Sequence, residues 1–364
     1  MPEHVSGVAA ELVLSARAPF DFASTARFLR FTEAEAVDIF TDTFTETSTD
    51  TLTETSGGAS NGGRYRRALH FGERLFILSV EPAAPEGAQV RPCVRVKLAP
   101  EAFVTRHILD EAGTTVRRMF SLEHDLTAWR SRLARDPLMR RLEAEHRGLH
   151  LPRWPTLFEA LVTSILLQQI ATTVAITFRR RVVERYGERL EWQGETYYAF
   201  PRPEALAAAS VEELRALGLS NAKAACIVEV ARACMEGELS SASLEAETNE
   251  RVIARLSRLR GIGRWTAEWV LMLHFGRTDV FPAADLFLRG VFIKHYNGGA
   301  TLTEREIRAA AAKLWGAYQS YSALYFLAAM RAGTITLKSE RVLSSDNSDA
   351  KPTRRRLTSR KTTD

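Results

Sequence analysis

A chain of 364 residues, 45% hydrophobic and 26% charged, has room for two domains and the balance of an ordinary soluble globular protein. Its longest apolar runs, such as Phe158–Ile170, are broken by Glu, Ser, Thr and Gln well short of a membrane span, and MPEHVSGVAAELVL lacks the basic-then-apolar order of a secretory signal. The cysteines Cys93, Cys226 and Cys234 have neither disulfide-framework nor metal spacing, so a reducing, cytoplasmic setting is expected, while a net charge of +5 points mildly to an anionic partner.

In chain order, residues 10–103 read as short strands: AELVLSA, RYRRALHFG, RLFILSVE and CVRVKLA. The last alternates Val94, Val96 and Leu98 with Arg95 and Lys97, the period of a half-buried strand, and Gly72–Glu73 marks a hairpin turn. Within this region TDTFTETSTDTLTETSGGASNGG, residues 41–63, would present polar side chains on both faces of a strand. It reads as a flexible low-complexity insertion.

From 104 to 335 the periodicity turns helical. FEALVTSILLQQIATTVAITFRRRVVERYG predicts one long helix or two, stopped at Gly187; the next stretch predicts short helices broken at Gly218–Asn221 and ended by Gly237. TNERVIARLSRLRGIGRWTAEWVLMLHFG reads as helix, tight turn, helix, and TEREIRAAAAKLWGAYQSYSALYFLAAMRAG supplies closing helices. The final stretch of 336–364 carries Lys and Arg with almost nothing apolar, so it is expected to be disordered, either solubilising or attracted to phosphates. The expected class is α+β: a sheet domain over 1–103, a helical domain over 104–335 and a basic tail.

The stretch LRGIGRW, residues 259–265, carries the chemistry. A dinucleotide fingerprint is opposed by the helical spacing before it and by Thr266 in place of a third glycine. A helix C-cap explains one glycine, whereas a helix-hairpin-helix explains both. Gly261 and Gly263 allow a tight turn and expose backbone N–H groups at a helix start, an anion site suited to a DNA phosphate, with Arg260 and Arg264 adding positive charge.

LRGIGRWTAEW, followed by DVFPAADLFLRG, resembles the helix-hairpin-helix DNA glycosylases, and within them the 3-methyladenine DNA glycosylase II family. APFDF at 18–22 is similar to that family's sheet domain, and FEALVTSILLQQI, FPRPEALAAASVEELRALGLSNAKA and LWGAYQSYSALYF resemble its helical segments in order. The resemblance implies an aspartate past the hairpin that does the essential work, here Asp285, which also reads as a helix N-cap before LFLRGVFI. It implies a base pocket lined by Trp265 and Trp269, which lie four residues apart on one helix face and otherwise read as a core stripe. Stacking on such rings suits a cationic alkylated purine.

Family members that cut the strand carry a nucleophilic lysine where this chain has Trp265, so no Schiff base is expected there. The residue filling the gap left by a flipped base falls on Gln169, which otherwise reads as helix surface. The hairpin proline is replaced by Arg260, and a Trp, Pro, Arg pattern in the closing helix reads Trp315, Ala317 and Gln319. The resemblance places a monovalent cation on the carbonyls of Ser257, Leu259 and Ile262; the three cysteines cannot build an iron–sulfur cluster, and no cofactor is expected.

The expected function is therefore a monofunctional glycosylase that excises alkylated bases from double-stranded DNA as a monomer, leaving an abasic site for base excision repair. Two other functions remain open: a non-catalytic DNA-binding module, which needs neither Asp285 nor the tryptophans, and an oxidised-purine glycosylase with lyase activity, which Trp265 opposes.

Overall fold

The computed structural model describes residues 10–30, 36–42, 62–84 and 91–337. Most of the low-complexity insertion (43–61) and the basic tail from 338 onward lie outside the described residues. The strands are β1 (Glu11–Ser15), β2 (Ile39–Thr41), β3 (Arg64–Phe71), β4 (Arg74–Ala83), β5 (Cys93–Ala99), β6 (Arg189–Trp192) and β7 (Glu195–Tyr198). The helices of the first part are α1 (Phe22–Leu29), α2 (Arg106–Met119), α3 (Thr127–Arg132) and α4 (Pro137–Glu145). They continue with α5 (Leu157–Leu167), α6 (Thr172–Tyr186), α7 (Pro203–Ala207), α8 (Val211–Ala216), α9 (Asn221–Met235) and α10 (Ser241–Glu245). The last are α11 (Asn249–Leu256), α12 (Arg264–Leu273), α13 (Leu286–Tyr296), α14 (Glu304–Trp315) and α15 (Gln319–Arg331).

The first five strands form an antiparallel sheet in the order β1-β5-β4-β3-β2, with β3 and β4 joined by the expected two-residue turn at Gly72–Glu73. The alternation read in CVRVKLA holds: Val94, Val96 and Leu98 are buried and meet Leu14, Phe76, Leu78 and Val80 in one core. That core continues past the expected boundary at 103. Leu109, Ala112, Val116 and Met119 of α2 pack into it with Phe120 and Leu122, because α2 lies across β1, β3 and β5. The opposite sheet face carries Ala68 and Ile77, which pack with Tyr197 and Ala199.

Tyr197 belongs to, and Ala199 directly follows, a departure from the expected all-helical second region. Arg189–Tyr198 is a β-hairpin with Gln193 and Gly194 at its turn, both at positive φ (51° and 80°), and it docks on β3 and β4. A buried charge cluster also joins the two parts. Arg67 of β3 bridges Asp38 (3.0 Å) and Glu159 of α5 (2.8 Å), and Arg179 of α6 pairs with Glu159 (2.7 Å). All four side chains are at most 1% exposed, and the two positive charges balance the two negative ones.

The helices surround the larger core, where Trp129, Leu161, Ile165, Val270, Leu271, Leu324 and Phe326 are fully buried. FEALVTSILLQQIATTVAITF resolves into two helices, parted at Gln168–Ala171. Among the described residues no helix is long and apolar enough to cross a membrane.

Candidate active site

The hairpin forms as expected between α11 and α12. Gly261 adopts φ +93°, a left-handed conformation that a Cβ strains, and a Cβ there would stand 3.1 Å from Cys226 Sγ. Gly263 differs: at φ −101° and ψ 178° it is extended, and a Cβ there would meet nothing within 4 Å. Its glycine is not required by backbone strain and instead keeps the turn open. Gly263 is also the N-cap of α12 and supplies no side chain to accept the first-turn N–H groups of that helix. An uncapped positive helix end on an open glycine turn suits an anion.

The two flanking arginines part company. Arg260 is exposed, and among the described residues only its backbone N–H is engaged, on Glu229 Oε1 at 3.3 Å. Arg264 is committed to ion pairs with Glu250 and with Glu268 at 3.1 Å, so it braces the hairpin rather than standing free beside the turn. Glu268 is buried and also takes two bonds from Arg308 of α14, at 2.6 and 3.2 Å. Burial raises the Glu268 carboxyl above its usual range, against the pull of Arg308 and Arg264. The three carbonyls assigned to a cation are neutral, hard oxygen donors, which fits a monovalent ion; that of Leu259 also accepts the Ile262 N–H at 3.1 Å.

On α12 the residues Thr266, Ala267, Val270 and Leu271 turn into the core, leaving Trp265 and Trp269 together on a half-buried face. Their ring centroids lie 6.0 Å apart with planes tilted by 60°. Trp269 touches the large core along one side, as the alternative of a core stripe has it for that ring.

Asp285 sits at the start of α13, half-buried. Its Oδ1 accepts the N–H groups of Phe287 and Leu288, each at 3.0 Å, so the N-cap reading is correct. Its Oδ2 faces the indole Nε1 of Trp265 at 3.4 Å. One oxygen is thus spent on the helix and the other is held at the edge of the aromatic pair.

The loop before Asp285 is pinned by the closing helix. Gln319 donates from Nε2 to the carbonyls of Asp279 (3.1 Å) and Gly316 (3.0 Å), and Ser320 holds Thr278, Arg277 and Val280. Glutamine here makes local contacts of its own where the family pattern has arginine. Trp315 is buried, with its Nε1 donating to Asp136 Oδ2 at 3.0 Å.

Gln169 lies in the α5–α6 break, exposed and at φ +56°. A non-glycine residue there is uncommon and marks a tip that its surroundings hold in place. Sequence reasoning missed what holds it. Gln168 carries its side chain to the hairpin, with Nε2 donating to the Gly261 carbonyl and to Thr266 Oγ1, both at 2.9 Å. It also missed Glu268 and Arg308; no local pattern announces partners forty positions apart.

Comparison with known proteins agrees with this architecture. Residues 162–317 match the family described as HhH-GPD superfamily base excision DNA repair protein, and residues 11–155 match the AlkA N-terminal domain. The chain is similar to the DNA-3-methyladenine glycosylase of Bacillus subtilis, 31% identical over 59% of this chain and 71% of that protein. DNA-3-methyladenine glycosylase 2 of Escherichia coli is 34% identical over 51% of this chain and 62% of that protein. Among solved structures, a 3-methyladenine DNA glycosylase from Archaeoglobus fulgidus has the same fold, with a TM-score of 0.69 at 24% identity, covering 88% of this chain and 98% of that one. From its paired domains and its extended identity to these enzymes, the chain belongs to the HhH-GPD superfamily of base excision DNA repair proteins, in its DNA-3-methyladenine glycosylase branch.

Proposed function

We propose that this protein is a monofunctional DNA glycosylase that excises alkylated purines, 3-methyladenine first among them, from duplex DNA. The observation that carries this reading is the Asp285 carboxylate, with Oδ2 held 3.4 Å from Trp265 Nε1 at the edge of the Trp265–Trp269 pair. The hairpin takes a backbone phosphate on the N–H groups around Gly261 and Gly263, assisted by Arg260. A base turned out of the stack lies against the two indoles, where its positive charge is attracted to the ring faces.

As the C1′–N bond lengthens, its electron pair leaves with the base and positive charge builds on the sugar. The Asp285 carboxylate stabilises that charge and accepts a proton from the water that attacks C1′. The products are a free neutral base and an abasic site. N3-alkylation already supplies the positive charge that makes the purine a good leaving group, so protonation of the base is not required. A non-catalytic module would need this carboxylate only as the cap of α13 and has no role for its Oδ2 beside two tryptophans, and Trp265 supplies no amine for strand cleavage. The reading includes a monomer acting in the cytoplasm, without a cofactor; a monovalent cation on the carbonyls of Ser257, Leu259 and Ile262 would orient the hairpin toward phosphate.

The test is to incubate the protein with methylated duplex DNA and to separate the released bases by chromatography. Strands are analysed with and without alkali, and borohydride is added to trap any imine. Free 3-methyladenine, strand breaks only after alkali and no trapped adduct are expected. A trapped adduct would show that another amine attacks the sugar, and no released base would leave the binding module.

A further inference from the structure

The break between α5 and α6 is tied down from two sides. At its start Gln168 leaves the helix (φ −57°, ψ 127°), and its side-chain amide crosses to the hairpin rather than capping its own element. Its partners, the Gly261 carbonyl and Thr266 Oγ1, lie 93 and 98 positions further along the chain. The Leu166 carbonyl, in the last turn of α5, accepts the half-buried Lys223 amine of α9 at 2.7 Å. Between these anchors and α6, Gln169 projects with φ +56°. A left-handed residue with a Cβ is strained and persists where its neighbours over-determine it.

One amide group therefore joins three parts of the site: the tip at Gln169, the turn at Gly261 proposed above to take a phosphate, and the helix turn carrying Trp265 beside Thr266. We propose that Gln168 is a positioning residue that couples the hairpin to the tip. When the hairpin seats on a phosphate, the Gln168 amide fixes where Gln169 enters the duplex and how far it stands from the tryptophan pair. Flipping and phosphate docking then occur in one register. This inference rests on the glycosylase reading above and on Gln169 as the residue that fills the gap.

A double-mutant cycle isolates the coupling. Wild type, Gln168→Met, Gln169→Ala and the double variant are compared on a duplex with a single hypoxanthine beside 2-aminopurine. The fluorescence rise reads base flipping and single-turnover release reads chemistry. Methionine keeps the length of glutamine and removes both hydrogen bonds; Gln168→Glu replaces the donor with a carboxylate facing the Gly261 carbonyl and serves if the methionine variant does not fold. In the Gln169 background, loss of the two bonds is expected to lower flipping and release by on the order of tenfold. Binding of undamaged duplex and the unfolding temperature should stay near wild type. In the Gln169→Ala background the same change should have less than about a twofold effect, since the tip it positions is gone.

Equal losses in both backgrounds would overturn the coupling while leaving an active wild type and the glycosylase reading intact. A wild-type protein that releases no base from either this duplex or methylated DNA would defeat that reading and the coupling with it.

Discussion

Replacing Asp285 by asparagine separates the two jobs that this side chain does. Asparagine keeps an Oδ1 acceptor for the N–H groups of Phe287 and Leu288, both at 3.0 Å, and ranks with aspartate as an N-cap. What is lost at the helix end is the charge–dipole attraction, about 0.3–1 kcal/mol. The second oxygen becomes an NH2 group facing the Trp265 N–H across 3.4 Å, donor against donor, with no negative charge to offer the sugar. Losing a preorganised charge at the reacting centre costs a factor of roughly 10² to 10³, about 3–4 kcal/mol on the barrier. Catalysis should thus fall by several times more free energy than folding does. Single-turnover base release from methylated duplex, measured beside thermal unfolding and affinity for undamaged DNA, reads all three. Release within about threefold of wild type would refute the role of the carboxylate, and a rate loss matched by a large drop in stability would reduce Asp285 to a helix cap.

Trp269→Ala should cost about 1–3 kcal/mol in transition-state binding, more for cationic 3-methyladenine than for neutral hypoxanthine; equal losses with a collapsed unfolding temperature would make Trp269 a packing residue alone. Gln169→Gly should relieve the backbone at φ +56° and hold or raise the unfolding temperature while lowering base flipping, whereas a loss of stability would mean that the side chain is structural. Glu159→Ala leaves Arg67 and Arg179 buried with one fewer carboxylate and should cost about 3–5 kcal/mol in urea unfolding; a change below about 1 kcal/mol would contradict the cluster's role in joining the two parts. Burial pushes His274 down from 6.5 to about 3 and His124 to about 4, so below pH 6.5 the unfolded chain binds more protons than the folded one. Stability should be full above about pH 6.5 and fall as pH drops toward those values, by up to about 1.4 kcal/mol per unit for each histidine, and a flat profile between pH 7.5 and 5 would contradict this.

The parts legible in the sequence are those with a local signature. The alternation of CVRVKLA, the turn at Gly72–Glu73 and Gly261 of LRGIGRW each fix backbone geometry within a few residues, and each is found where expected. Arg189–Tyr198 was not legible as a hairpin because it is short and its turn is Gln-Gly rather than Asn-Gly, inside an otherwise helical stretch. The boundary at 103 failed for a tertiary reason: the amphipathic α2 has a helical period like all that follows, and the pattern does not say which core its apolar face joins. At the site, Asp285 and the tryptophans were accessible through resemblance. The occupation of Arg264 by Glu250 and Glu268, the reach of Gln168 to Gly261 and the Asp38–Arg67–Glu159–Arg179 cluster depend on long-range placement of charges that no local spacing encodes.

The central claim is that a helix-capping carboxylate beside two indoles stabilises positive charge on the sugar. Equilibrium affinity for a duplex carrying a cationic pyrrolidine in place of the lesion sugar, compared with the same duplex carrying the neutral tetrahydrofuran ring, tests this directly. The account predicts that wild type binds the cationic ring at least about tenfold more tightly and that Asp285→Asn brings the ratio close to one. Equal affinities in wild type, or a preference that survives Asp285→Asn, would contradict it.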